Sequence, residues 1–146
     1  MSRFARRAQM GVARGATLSL SPSTATYASG ATVVVTIRCN SGSTAVNAVQ
    51  ANLSYPTARL TFQSIDTSMS PFTTTMQSTG GSGSVQIGVG ILAGSVTGNQ
   101  IVGTVTFTAG SAGQAAVTFA NGSGIADAAT ATDVCKNKVG ASYTIT

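Results

Sequence analysis

Histidine, tryptophan and glutamate are absent from this 146-residue sequence, and its only acids are Asp66, Asp127 and Asp133. Without histidine, a serine or cysteine nucleophile lacks its usual base, and the histidine-containing zinc sites are excluded. The three aspartates fall on predicted turns or loops, and nothing in their spacing places two of them at the separation that glycosidases use. These shortages predict a protein that is not an enzyme and that holds no metal and no cofactor.

Charged residues and long apolar runs are also scarce. Only 8% of the residues are charged and 42% are hydrophobic, whereas roughly a quarter of an average soluble domain is charged. No apolar run approaches the ~18 residues of a membrane-spanning helix. No uninterrupted apolar segment of the signal-peptide type follows Arg3. We therefore expect no membrane partner and, with Met1 as the first residue, no export by the ordinary secretory route.

The sequence has two cysteines, Cys39 and Cys135. A disulfide between them would close a long loop and so stabilise the fold. In the alternative interpretation they are two separate buried thiols, which behave as small hydrophobic side chains. Both interpretations remain open at this point.

From residue 16 onward, apolar and polar residues alternate in one short segment after another. The clearest segment is 32–39, which is rich in β-branched residues, and its period of two predicts a strand. Residues 66–83 show no steady periodicity and end in Gly-Gly-Ser-Gly, so they predict a long, partly mobile loop. Helix is expected to be close to absent, apart from a turn at residues 126–132. Eight or nine short strands separated by turns predict an all-β sandwich.

The order of these segments is more specific than a sandwich alone. Residues 30–37 (GATVVVTI) precede 46–56 (VNAVQANLSYP) and 59–62 (RLTF), and 99–107 (NQIVGTVTF) and 113–119 (GQAAVTF) follow much later. This pattern over residues 16–146 resembles the cohesin family, which is related to carbohydrate-binding sandwiches. The resemblance implies an all-β, antiparallel, Ig-like/cohesin-like jelly-roll sandwich of eight to nine strands with a non-catalytic binding face. Members of that family dock a small calcium-binding partner, the dockerin, in secreted polysaccharide-degrading assemblies, and relatives bind carbohydrate.

Half of the basic residues stand in the first fifteen positions, so we divide the chain into an extended basic N-terminal arm (1–15) and a sandwich domain (16–146). The domain has four basic residues against three aspartates. In the arm, guanidinium groups are predicted to bind carboxylates of a partner in bidentate fashion, with two apolar side chains as anchors. The alternative is a solvated basic tail. The predicted partner-binding residues of the arm are Arg3, Phe4, Arg6, Arg7, Met10 and Arg14.

Three hypotheses for function follow. The first is a phage-type virion decoration protein, or minor capsid protein, held on capsid subunits at the virion surface by its arm. The second is an extracellular cohesin-type module that binds dockerin or carbohydrate. The third is a nucleic-acid-binding arm on an inert platform; the domain itself is not expected to bind nucleic acid, because aromatic stacking platforms are lacking. The first is our main sequence-based prediction, and homo-oligomer formation stays open.

Overall fold

The structure, a computed structural model, describes residues 15–146. Strands follow one another through the whole of this range, joined by turns and loops. The twelve strands are β1 (Ala16–Ser21), β2 (Thr24–Tyr27), β3 (Thr32–Asn40), β4 (Val46–Ser54), β5 (Leu60–Asp66), β6 (Thr74–Gly81), β7 (Ser84–Gly90), β8 (Asn99–Ala109), β9 (Gly113–Phe119), β10 (Gly124–Asp127), β11 (Cys135–Val139) and β12 (Ala141–Ile145).

The strands form two sheets. The first sheet has the order β11-β1-β3-β8-β5, and the second has the order β2-β12-β9-β4-β7-β6, with β10 also paired to β4. Most neighbours are antiparallel, but β11 pairs with β1 and β2 pairs with β12 in parallel. The predicted all-β sandwich is confirmed. The strands β2, β10 and β11 have only four or five residues each, so they are too short to show an alternating pattern clearly.

The core lies between the sheets and is built from the alternate, inward-facing residues of the longer strands. Phe107 on β8 is fully buried. Its ring meets Tyr55 and Phe62 edge to face, with centroids 4.9 and 6.4 Å apart. Such aromatic pairs stabilise beyond their buried area. Phe107 is therefore a central packing residue of the sandwich.

Tyr143 on β12 is a polar exception in the core. It is fully buried, and its hydroxyl donates a hydrogen bond of 2.7 Å to the carbonyl of Pro22. Burial, with the nearby Tyr27, raises the pKa of the Tyr143 phenol, so the hydroxyl keeps the proton that it donates. This bond ties the loop between β1 and β2 to the second sheet.

The prediction of a continuous loop over 66–83 is wrong at residues 74–81, which form β6. This strand is the last one of the second sheet, and within residues 15–146 the only strand hydrogen-bonded to it is β7. Five of its eight residues are exposed. Because so little of the strand packs against the core, few of its positions have to be apolar. An edge strand of this kind lacks the alternation on which the sequence-based prediction depends.

The turn of helix expected at residues 126–132 is not formed: β10 continues to Asp127, and residues 128–130 form a hydrogen-bonded turn. Residues 15–146 contain no helix that is long and apolar enough to cross a membrane.

Candidate protein-binding face

The predicted partner-binding arm lies outside the residues that the structure describes. Its role as a clamp therefore stays a prediction for the whole set: Arg3, Phe4, Arg6, Arg7, Met10 and Arg14. The division into an arm and a sandwich domain likewise stays a prediction. The described residues do, however, form a second candidate surface on the sandwich itself.

A row of amide side chains crosses the outer face of the second sheet. Gln50 donates from Nε2 to Asn52 Oδ1 and to Gln77 Oε1, at 2.8 Å in each case. Gln77 in turn donates from Nε2 to Gln86 Oε1 at 3.1 Å. We call these four residues the amide row. Because each side chain holds the next, the row presents a fixed pattern of donors and acceptors rather than four freely rotating side chains.

Strand register and one glycine explain why the row forms. Gln50 on β4 lies opposite Gly88 on β7, and Gly88 lies opposite Gln77 on β6. A Cβ atom at Gly88 would lie 2.6 Å from the side-chain oxygen of Gln50. The missing side chain therefore leaves room for the two glutamines to meet above β7. A glycine inside a strand often marks such a close approach.

The outer face that carries the amide row is electrically neutral. Asp127 on β10 is the only charged residue in the second sheet's strands as the structure describes them, and it is buried. Its Oδ1 accepts hydrogen bonds from the backbone N–H of Ala129 (2.7 Å) and Thr130 (3.2 Å), so it orders the turn after β10. In the first sheet, by contrast, the strands carry Arg38, Asp66 and two lysines.

A depression of about 530 Å³ lies beside the amide row. Its lining includes Gln50, Met76 and residues 122–126, with Asp133 and Lys138 also contributing. Met76 is 64% exposed, an unusual exposure for an apolar side chain of this size. A neutral polar row next to an exposed methionine and a concavity combines features of protein-binding surfaces, where methionine is enriched and charges are depleted at the core.

The other two aspartates also bind backbone groups. Asp66 accepts from the N–H of Ser68, which lowers its pKa. Asp133 accepts from the N–H groups of Ile125 and Cys135. Burial would raise the pKa of Asp133, but these two hydrogen bonds and the nearby lysines 136 and 138 lower it. The three aspartates thus order turns, and Asp127 does so while buried.

No group of three or more His, Cys, Asp or Glu side chains that could hold a metal is found within residues 15–146.

Both cysteines have free thiols in the structure. Cys39 lies opposite Leu18 of β1, and Cys135 lies opposite Ala16 on the other side of β1. Two strand spacings amount to roughly 9–10 Å, whereas bridged cysteines have Cα atoms within about 7 Å. The alternative of two separate thiols fits this arrangement, while a disulfide between them stays a prediction.

Thiol counting distinguishes these alternatives. We expect two reactive thiols per chain in denatured, unreduced protein. In the native protein at about pH 8 we expect Cys135 to react first, because thiolate is the reactive form and burial raises the pKa of Cys39 to about 12. A denatured, unreduced chain with no reactive thiol would show that the two cysteines are bridged.

The architecture is that of known cohesin modules. The solution structure of the module CaCohA2 from Clostridium acetobutylicum is 18% identical, with a TM-score of 0.75, over 90% of this chain and 91% of that one. A non-cellulosomal cohesin from the archaeon Archaeoglobus fulgidus is 17% identical, with a TM-score of 0.70, over 90% and 91%. The third ScaB cohesin of R. flavefaciens, solved in complex with a group 1 dockerin, is 15% identical, with a TM-score of 0.69, over 90% and 94%.

No protein-family model and no curated protein matches the sequence. At identities below 25% the likeness to solved structures establishes the fold, and this chain has the cohesin fold. The predicted resemblance to cohesins is therefore confirmed at the level of structure.

Proposed function

We propose that this protein is a non-catalytic, cohesin-type module that binds a protein partner on the outer face of the second sheet. The observation that carries the proposal is the amide row, whose mutual hydrogen bonds fix its donors and acceptors before a partner arrives. Surfaces ordered in advance lose less conformational entropy on binding. The cohesin fold supports the same class of function, and a dockerin is the partner of one structure with this fold.

The partner that we propose is a dockerin, the small calcium-binding module implied by the family resemblance, in an extracellular assembly. A protein partner is favoured over carbohydrate because the described aromatic side chains serve the core. Four are buried and three are partly buried against the core. Stacking platforms on the surface require aromatic rings that face solvent.

The virion hypothesis depends on the arm and stays a prediction. The reported structures of this fold are all cohesins, so they favour the second of our sequence-based hypotheses over the first. The two make opposite predictions about the arm. Capsid anchoring requires residues 1–15, whereas a partner docked on the second sheet does not.

Titration calorimetry against a panel of dockerin modules tests the proposal. We expect at least one 1:1 complex with a Kd of roughly micromolar or tighter, lost when EDTA removes calcium from the dockerin. A chain that lacks the arm, residues 1–15, should bind with the same Kd as the full chain. If the panel does not bind, or if binding disappears with the arm, the proposed face is not the binding site.

A further inference from the structure

The strands at the ends of the two sheets differ in how they are protected against pairing with another chain. An exposed edge strand offers unpaired backbone groups, and natural proteins guard such edges with charges, bulges or short length. The end strand β11 carries Lys136 and Lys138, β5 has a bulge and ends in Asp66, and β2 has four residues. Each of these three edge strands therefore has a feature that disfavours pairing with another chain.

The fourth edge, β6, has the weakest protection. It has eight residues, TTMQSTGG, with neither a charge nor a proline. A bulge interrupts its register with β7 between Thr75 and Gln77, but from Gln77 to Gly81 the pairing is regular. Ser78 and Thr79 within this regular part are exposed. Among residues 15–146, no strand is hydrogen-bonded to the side of β6 away from β7. The nearest element of the first sheet is β5, whose Phe62 ring lies against Gly80 without pairing with the backbone of β6.

We propose that two copies of this protein associate through β6, which pairs with β6 of the second copy in antiparallel orientation and joins the two second sheets. An antiparallel pair of identical strands is self-complementary, as a two-fold symmetric interface requires. No charge on either strand opposes the approach, whereas like charges on facing strands destabilise a pair. The side chains that meet are the small or neutral ones of Gln77, Ser78 and Thr79.

In the dimer, the amide rows of the two copies would lie next to each other on one face of the joined sheet. Gln77 is the member of the row on β6, and its amide is already hydrogen-bonded to Gln50 and Gln86 on the inner side. Pairing of β6 with its copy would bring two amide rows side by side in one extended sheet. This association uses the backbone edge of the sheet, whereas the proposed partner binding uses its outer face, and Gln77 is the residue that lies at the border of the two surfaces.

Sedimentation equilibrium of the full chain tests the proposal. We expect a monomer–dimer equilibrium that populates the dimer between micromolar and millimolar concentration. In Thr79→Lys, two lysines lie opposite or diagonal across the new strand pair, so the dimer Kd should rise by about tenfold. The matched control is Thr118→Lys. Thr118 is exposed on the same outer face but lies on β9, an interior strand, so its substitution should leave the dimer Kd unchanged.

Amide hydrogen exchange identifies the interface directly. In the dimer, those amides of residues 77–81 that point away from β7 should exchange more slowly as protein concentration rises. The exchange rates of the amides of β5, the other edge on that side, should not change. A chain that stays monomeric up to millimolar concentration overturns the proposal. A dimer that tolerates Thr79→Lys as well as Thr118→Lys overturns it too.

Discussion

Replacing Gln50 with glutamate is expected to weaken partner binding by about a hundredfold, because a charge left unpaired in an interface costs roughly 2–5 kcal/mol. The change preserves the shape of the side chain but removes the Nε2 donor. Asn52 Oδ1 and Gln77 Oε1, which accept from that donor now, would then face a carboxylate oxygen. The amide row would lose both its central hydrogen bonds and its neutrality. Calorimetry with the calcium-loaded dockerin measures the effect.

Gln63→Glu is the matched control for this substitution. Gln63 lies on β5 of the first sheet and donates a single exposed hydrogen bond of 3.0 Å to Thr108 Oγ1. The same chemical change should therefore leave the dockerin Kd within about twofold, as expected for a residue outside an interface. Equal losses in the two variants would mean that the added charge acts at long range. Unchanged binding in Gln50→Glu would remove the amide row from the binding site.

Phe107→Ala is expected to lower the free energy of unfolding by about 3–5 kcal/mol, the usual cost of removing a buried phenylalanine. The substitution leaves a cavity between the two sheets and takes away two edge-to-face contacts, with Tyr55 and with Phe62. A loss of this size is a large share of the 5–15 kcal/mol by which domains are stable. Urea unfolding followed by circular dichroism provides the measurement.

The neighbouring Thr106 supplies the control for the core. Its side chain alternates with that of Phe107 along β8 and is only half-buried, on the opposite side of the strand. Thr106→Ala should cost no more than about 1 kcal/mol, the span of strand propensities. If both variants lost the same stability, Phe107 would not be the packing centre that its contacts suggest.

Much of the fold could be predicted because the inward faces of the long strands are strongly patterned. The alternating segment 32–39 forms β3 (Thr32–Asn40) in the structure, and the late segments 99–107 and 113–119 lie in β8 and β9. In such strands the hydrophobic effect decides which residues face inward, so the strand can be predicted from the alternation within a short segment of sequence. The order of these segments was also sufficient to suggest cohesins.

The edge strand and the amide row could not be predicted in the same way. The outward positions of a half-buried strand are expected to be polar, so Gln50 and Asn52 are not distinguished from any solvated residue of β4. The hydrogen bond of Gln50 to Gln77 depends on a strand register that joins residues 27 positions apart in the chain. Gly88 was the one local signal, since a glycine within a strand pattern suggests a close approach.

The clustering of arginines near the N-terminus led the sequence-based prediction to place the binding site on the arm and not on the sheet. The arginines at 3, 6, 7 and 14 stand out because the rest of the chain carries so few charges. A binding surface made of neutral amides, a glycine and a methionine has no such compositional signature. Both surfaces are testable separately, because removal of the arm leaves the second sheet intact.

The NMR signals of the side-chain amides give the most direct test of whether a partner binds at the amide row. In a ¹⁵N–¹H correlation spectrum, saturation with calcium-loaded dockerin should shift the NH₂ signals of Gln50, Gln77 and Gln86 and leave that of Gln63 in place. Shifts confined to Gln63 and the first sheet, with the amide row unchanged, would show that a partner is held by the opposite face of the sandwich.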